Sequence, residues 1–169
     1  MTGRGGAASG GAASGYAASF EASMRIALEE AAAGPGAGEA ADVPVGAVVL
    51  GPDGSVLARG RNECLAGGDP TAHAEIVAIR RAAAALGSWR LDGCALVVTL
   101  EPCTMCAGAV RVARIGRLVY GARDERAGAA GSVWDVVRDR RLGPPVEGLA
   151  GVLAAECAEL LAGFFRGLR

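Results

Sequence analysis

The sequence predicts an α/β fold with a mixed sheet and helices on both faces. Three observations carry this. Segments with helical period alternate with short apolar runs. Ala95 to Leu100 is an unbroken apolar run, the pattern of a strand covered on both sides. Gly51-Pro52-Asp53-Gly54 between two such runs reads as a hairpin turn.

Element by element, Ala18 to Ala33 places Phe20, Met24, Ala27 and Leu28 on one helical face, and Gly34-Pro35-Gly36 ends it. Val45 to Leu50 is a strand, and Ser55 to Arg61 returns after the turn. Asn62 to Pro70 is a loop, and Thr71 to Leu86 a helix with Ile76, Ile79 and Ala83 on one stripe. Pro102 to Ala113 is helical, and Leu118 to Tyr120 a strand. Ala122 to Ser132 is a Gly-rich charged loop. Val146 to Leu149 is a last strand and Val152 to Phe165 a last helix.

The chain has 169 residues, the size of one domain, and can bury a core without staples. It is 51% hydrophobic, yet 37 residues are Ala and 27 are Gly, so Val, Leu and Ile must build the core. The longest apolar run, Val43 to Leu50, is far short of the roughly 20 residues of a spanning helix. Met1 to Gly15 is rich in Gly, Ala and Ser and has no apolar signal-peptide core. It reads as a disordered tail, so that residues 1–17 precede a single domain over 18–169. The net charge is −1, which excludes a strongly basic nucleic-acid binder. All 17 basic residues are Arg, and Arg111 to Arg141 carries eight of them against four acids. A polyanion would meet that half. The five Cys are an odd number without scaffold spacing, so a cytosolic chain with metal-binding or redox thiols is expected.

Cys103-Thr104-Met105-Cys106 follows Pro102, a residue favoured in a first helical turn. Cys at i and i+3 share a helix face, and a helix N-terminus favours thiolate. The pair alone fits half of a tetrahedral zinc site, a redox couple, or part of a closed four-ligand site completed by Cys94 or Cys64. His73 is the one His of the chain. With Cys103 and Cys106 it makes three ligands, which leaves the open position of a catalytic zinc. Glu75 lies two residues on, about 200° around an ideal helix. Both can face one metal only if His73 sits at the very start of the helix and Glu75 in its first turn. His73-x-Glu75 followed by Pro102-Cys103-x-x-Cys106 is the zinc deaminase signature, in which the Glu is a proton carrier and not a ligand.

At these residues the chain resembles the bacterial tRNA adenosine deaminases of the TadA type. The likeness extends through Val43-Pro44-Val45-Gly46-Ala47-Val48, Asp69 to Ile76, Thr99 to Ala109, Tyr120-Gly121-Ala122-Arg123-Asp124, Gly128-Ala129-Ala130-Gly131-Ser132 and Phe164-Phe165-Arg166. It implies a three-layer α/β/α, cytidine deaminase-like fold with a five-stranded mixed sheet, and a cytoplasmic homodimer holding one Zn2+ per subunit. It implies hydrolytic conversion of the wobble adenosine of a tRNA anticodon stem-loop to inosine. It places His73, Cys103 and Cys106 as ligands, Glu75 as proton shuttle, and Asn62 and Ala74 against the base. Arg111, Arg123, Arg126, Phe164, Phe165 and Arg166 are the candidates for RNA contact, with Arg114 serving RNA or a dimer interface. Trp89 and Trp134 read as packing residues, and Cys64, Cys94 and Cys157 as small apolar ones. The alternative substrate for the same chemistry is a free base, guanine or cytosine.

Overall fold

A computed structural model describes residues 9–34 and 41–168, with side chains from residue 19 onward. The expected helix stop at Pro35-Gly36 and most of the loop after it lie outside the described residues. Five strands form one mixed sheet in the order β2-β1-β3-β4-β5. They are β1 (Gly46–Leu50), β2 (Val56–Arg61), β3 (Ala95–Leu100), β4 (Arg117–Ala122) and β5 (Glu147–Ala150). β1 runs antiparallel to both β2 and β3, whereas β3, β4 and β5 are mutually parallel. The helices are α1 (Ser9–Ala32), α2 (Cys64–Gly67), α3 (Ala74–Leu86), α4 (Thr104–Val112) and α5 (Ala154–Gly167).

Strand alternation divides the core in two. Ala47, Val49, Leu96, Val98, Leu118 and Tyr120 face α3 and α4, meeting Ala74, Ala78, Ala82, Ala107 and Val110. Val48, Leu50, Val97 and Val119 face the other way, onto Phe20, Met24 and Ala27 of α1 and Cys157 of α5. β3 lies between β1 and β4 and is covered on both faces, which accounts for its apolar run; Thr99, the one polar residue in it, accepts from Gly46 N at 3.2 Å. Small residues let the layers approach closely. A Cβ on Gly60 of β2 would stand 2.5 Å from the Ala74 carbonyl oxygen and 2.6 Å from the Ala78 nitrogen of α3.

Several boundaries differ from expectation. The first helix begins at Ser9 rather than Ala18, so residues 9–17 are helical; Ala is the strongest helix former. The expected loop over 62–70 contains α2, whose first N–H groups are bound by the distant Asp42 carboxylate (2.7 Å to Leu65 N, 3.0 Å to Ala66 N). β4 extends three residues beyond the predicted Leu118–Tyr120 core. Trp89 and Trp134 are 62% and 61% exposed and are not core residues. Cys94 and Cys157 pack as expected at 1% exposure, while Cys64 is half-buried.

Candidate metal centre

The site forms where two helices begin. His73 occupies the position just before α3 and keeps extended backbone angles (φ −64°, ψ 152°), so its side chain leaves the helical path. This resolves the conflict between His73 and Glu75: the first is not helical, and the second sits in the first turn of α3. The approach is rigid. The Asp69 carboxylate accepts from Thr71 N (2.8 Å) and Thr71 Oγ (2.7 Å), and Glu63 N donates to Ala72 O (2.9 Å). Cys103 repeats the arrangement before α4 (φ −71°, ψ 176°), and Cys106 follows in the first turn, fully buried. Pro102 therefore stands outside the helix instead of opening it, because α4 starts at Thr104.

His73 Nδ1 lies 3.5 Å from Cys106 Sγ and 3.7 Å from Cys103 Sγ. Zinc bonds of about 2.3 Å to sulfur and about 2.1 Å to nitrogen, at tetrahedral angles, separate such atoms by about 3.6 Å. The three residues therefore fit one zinc ion. Among the described residues no other group of three or more possible ligands converges in this way. Cys64 and Cys94 take no part, so the closed four-ligand alternative falls away.

The Cys103 thiol is lowered to about 3, because it accepts from Cys106 and from His73. The same pairing, with burial, pushes the Cys106 thiol upward. Glu75 is 4% exposed, and burial raises its carboxyl above the usual carboxylate range.

A cavity of about 230 Å3 opens on this centre. Val43, Val45, Asn62, Ala74, Leu100, Glu101, Asp124 and Ala127 line it with His73, Glu75 and Cys103. Asn62 donates from Nδ2 to Val43 O (3.3 Å), and its buried Oδ1 has no protein partner. Asn62 and Ala74, which the resemblance sets against the base, both line this cavity. A second cavity of about 430 Å3 shares Val43, Val45 and Asn62 and reaches Phe164 on α5. Phe165 is half exposed and meets Phe164 edge-on at 5.4 Å. Arg166 is paired with Glu159 at 2.5 Å, and Arg123 and Arg126 are exposed on either side of Asp124. Arg111 lies apart from this cavity. It donates from Nη1 to Val137 O at 2.7 Å and lines a separate groove with Trp89, Val112 and Leu142.

The sequence reading gave no role to Glu101. It is 2% exposed and binds the loop over residues 124–132. Burial alone would raise its carboxyl. The Ser132 hydroxyl and N–H and the N–H groups of Asp124 and Ala130 more than offset this and hold it below the usual range. An acid directly after an apolar strand was the available signal.

Three ligands, an adjacent buried carboxylate and an open cavity define a zinc-dependent hydrolytic centre of the deaminase class. The cytidine and deoxycytidylate deaminase zinc-binding region matches residues 18–122. A tRNA-specific adenosine deaminase of Haemophilus influenzae is 44% identical, covering 88% of this chain and 84% of that one. The Bacillus subtilis enzyme of the same name is 42% identical, covering 88% and 90%. A tRNA(Ile)-lysidine synthase of Deinococcus radiodurans is 52% identical over 79% of this chain, which spans only 23% of that relative's length. A solved tRNA:A34 deaminase, studied for A-to-I editing at the wobble position, superposes with a TM-score of 0.75 at 46% identity, over 81% of this chain and 96% of its own. Guanine deaminase from Nitrosomonas europaea superposes with a TM-score of 0.68 at 31% identity, over 85% and 83%. The chain belongs to the cytidine and deoxycytidylate deaminase family, and within it to the tRNA-specific adenosine deaminases.

Proposed function

We propose that this chain deaminates the wobble adenosine of a tRNA anticodon stem-loop to inosine, releasing ammonia. The observation that carries the reading is the meeting of His73, Cys103 and Cys106 within zinc-binding distance beside the buried Glu75, in a cavity sized for a base. Bound zinc supplies Lewis acidity that makes a water molecule reactive near neutral pH. His73 presents Nδ1, and the two cysteines present thiolates. Glu75 takes one proton from the attacking water and gives it to adenine N1, then carries the remaining hydroxyl proton to the departing amine as the C6 carbonyl forms and ammonia leaves. Its raised proton affinity, from burial, suits a group that must hold that proton between steps. Asn62 Oδ1, free of protein partners, faces the base edge, and Ala74 offers its backbone beside it.

An anticodon loop presents its bases already unpaired, which lowers the cost of placing one in the pocket. Arg123, Arg126 and Arg166 are exposed cations suited to the phosphates, and Phe164 and Phe165 offer faces for stacking. Arg111, committed to Val137 O, is the weakest of the RNA candidates. Residues 18–169 act as one domain, in the cytoplasm; no described helix is long and apolar enough to cross a membrane. The active form is a homodimer. Support comes from the groove where Trp89, Val112 and Leu142, 62%, 72% and 57% exposed, stand together beside Arg111 and Arg114.

The test incubates zinc-loaded protein with an anticodon stem-loop bearing a wobble adenosine, beside guanine, cytosine and free adenosine. Inosine in the stem-loop alone is the expected result. Ammonia from guanine or cytosine, with the RNA untouched, would keep the zinc chemistry and overturn the substrate.

A further inference from the structure

Glu101 carries a buried negative charge with no cationic partner within ion-pair distance among the described residues, and the mechanism above does not use it. Its carboxylate is fully engaged all the same. Oε1 accepts from Ala130 N and Ser132 N, both at 3.0 Å. Oε2 accepts from Asp124 N at 3.1 Å and from the Ser132 hydroxyl. Four donors from one loop converge on one side chain, as a loop wraps a bound anion. The surroundings are fitted to it. A Cβ on Gly128 would stand 2.5 Å from the Glu101 carboxyl carbon and 2.4 Å from Asp124 O. Ala129 N donates to Pro102 O at 2.8 Å, and Gly128 pairs with Cys103 in an isolated antiparallel bridge.

The same loop walls the catalytic cavity through Asp124 and Ala127. Glu101 and Cys103 stand on opposite sides of Pro102, so one short segment holds both a metal ligand and the anchor of that wall. We infer that Glu101 is a positioning residue: its carboxylate holds the Asp124–Ser132 loop as the substrate-facing wall of the pocket. It governs how well the base is held and takes no part in moving protons. Every group that meets the carboxylate is a donor, so an acid is required. Gln in its place sets an amide N–H against the Asp124 N–H or against the Ala130 and Ser132 pair, and at least one bond is lost.

This inference rests on the proposed deamination only for its kinetic arm. The test uses zinc-loaded full-length protein as Glu101→Gln and Ser132→Ala, with zinc content, amide hydrogen exchange, and KM and kcat on the anticodon stem-loop as readouts. The expected Glu101→Gln result is undiminished zinc, faster exchange at Asp124, Ala130 and Ser132 by about tenfold, the effect of one lost hydrogen bond, and unchanged exchange in α3 and α4. KM rises by a similar factor, and kcat stays within about threefold. Ser132→Ala shifts the same quantities in the same direction by a smaller factor, and it serves alone if Glu101→Gln fails to fold. Unchanged exchange in the loop, or a fall in kcat at constant KM, would overturn the inference. A wild-type protein inactive on RNA would refute the substrate and leave the exchange result to decide the role of Glu101.

Discussion

Gly60→Ala tests whether the β2–α3 contact sets the catalytic geometry. The new Cβ would lie 2.5 Å from Ala74 O and 2.6 Å from Ala78 N, where ordinary contact begins at 3.4 Å. Both neighbours are backbone and cannot rotate aside, so relief requires the start of α3 to move by about 0.9 Å. Overpacking of this kind costs about 2 kcal/mol. For a chain of this size that lowers Tm by about 4–8 °C. The displaced turn carries Ala74 and Glu75, and a misplacement near 1 Å is worth about 100-fold in rate. Calorimetry of the zinc-loaded variant and its rate of inosine formation read the two effects separately. Gly67→Ala is the control, since a Cβ there meets no atom within 4 Å. Wild-type melting and turnover in Gly60→Ala would refute the argument that this contact is rigid and that it positions the site.

Other predictions follow from single contacts. Glu75→Gln keeps one zinc per chain and loses turnover by about 100- to 10,000-fold, the scale of a lost acid–base group; metal analysis and the inosine assay check both halves. Tyr120→Phe removes the bond from its hydroxyl to Ala130 O (3.2 Å) and lowers stability by about 1 kcal/mol in urea unfolding. The Arg141 guanidinium and N–H bind Asp139 and hold its carboxyl down to about 2 from an ordinary 3.8. The pair's contribution is therefore complete above about pH 4 and is lost as pH falls through about 2. A carboxyl NMR titration measures this, and Arg141→Ala raises Asp139 only part of the way, because the N–H of residue 141 still donates to it.

The metal site was legible because its chemistry is local: His73-Ala74-Glu75 and Cys103 to Cys106 carry their roles within a few residues. Even the non-helical placement of His73 followed from the angle between positions two apart. Features held by distant partners were not legible. Glu101 draws its meaning from donors 23 to 31 residues away, and α2 from Asp42, 23 residues before Leu65. Trp89 and Trp134 misled because hydrophobicity signals burial without saying whether the burial lies inside the chain or against another surface. Arg111 counted as one of a basic run, yet its Val137 contact depends on a tertiary neighbour.

Neither α3 nor α4 has a side-chain cap at its start. The residues in the capping positions, His73 and Cys103, have turned toward each other instead. Each helix start carries about half a unit of positive charge, and here two such ends aim at one spot. The backbone thereby sets up a field that does not titrate and that welcomes anions before any metal arrives. Apo protein already has somewhere to put the charge of a thiolate. A zinc ion held by His73, Cys103 and Cys106 would tie the starts of α3 and α4 to each other, so metal removal is expected to loosen both helix starts at once.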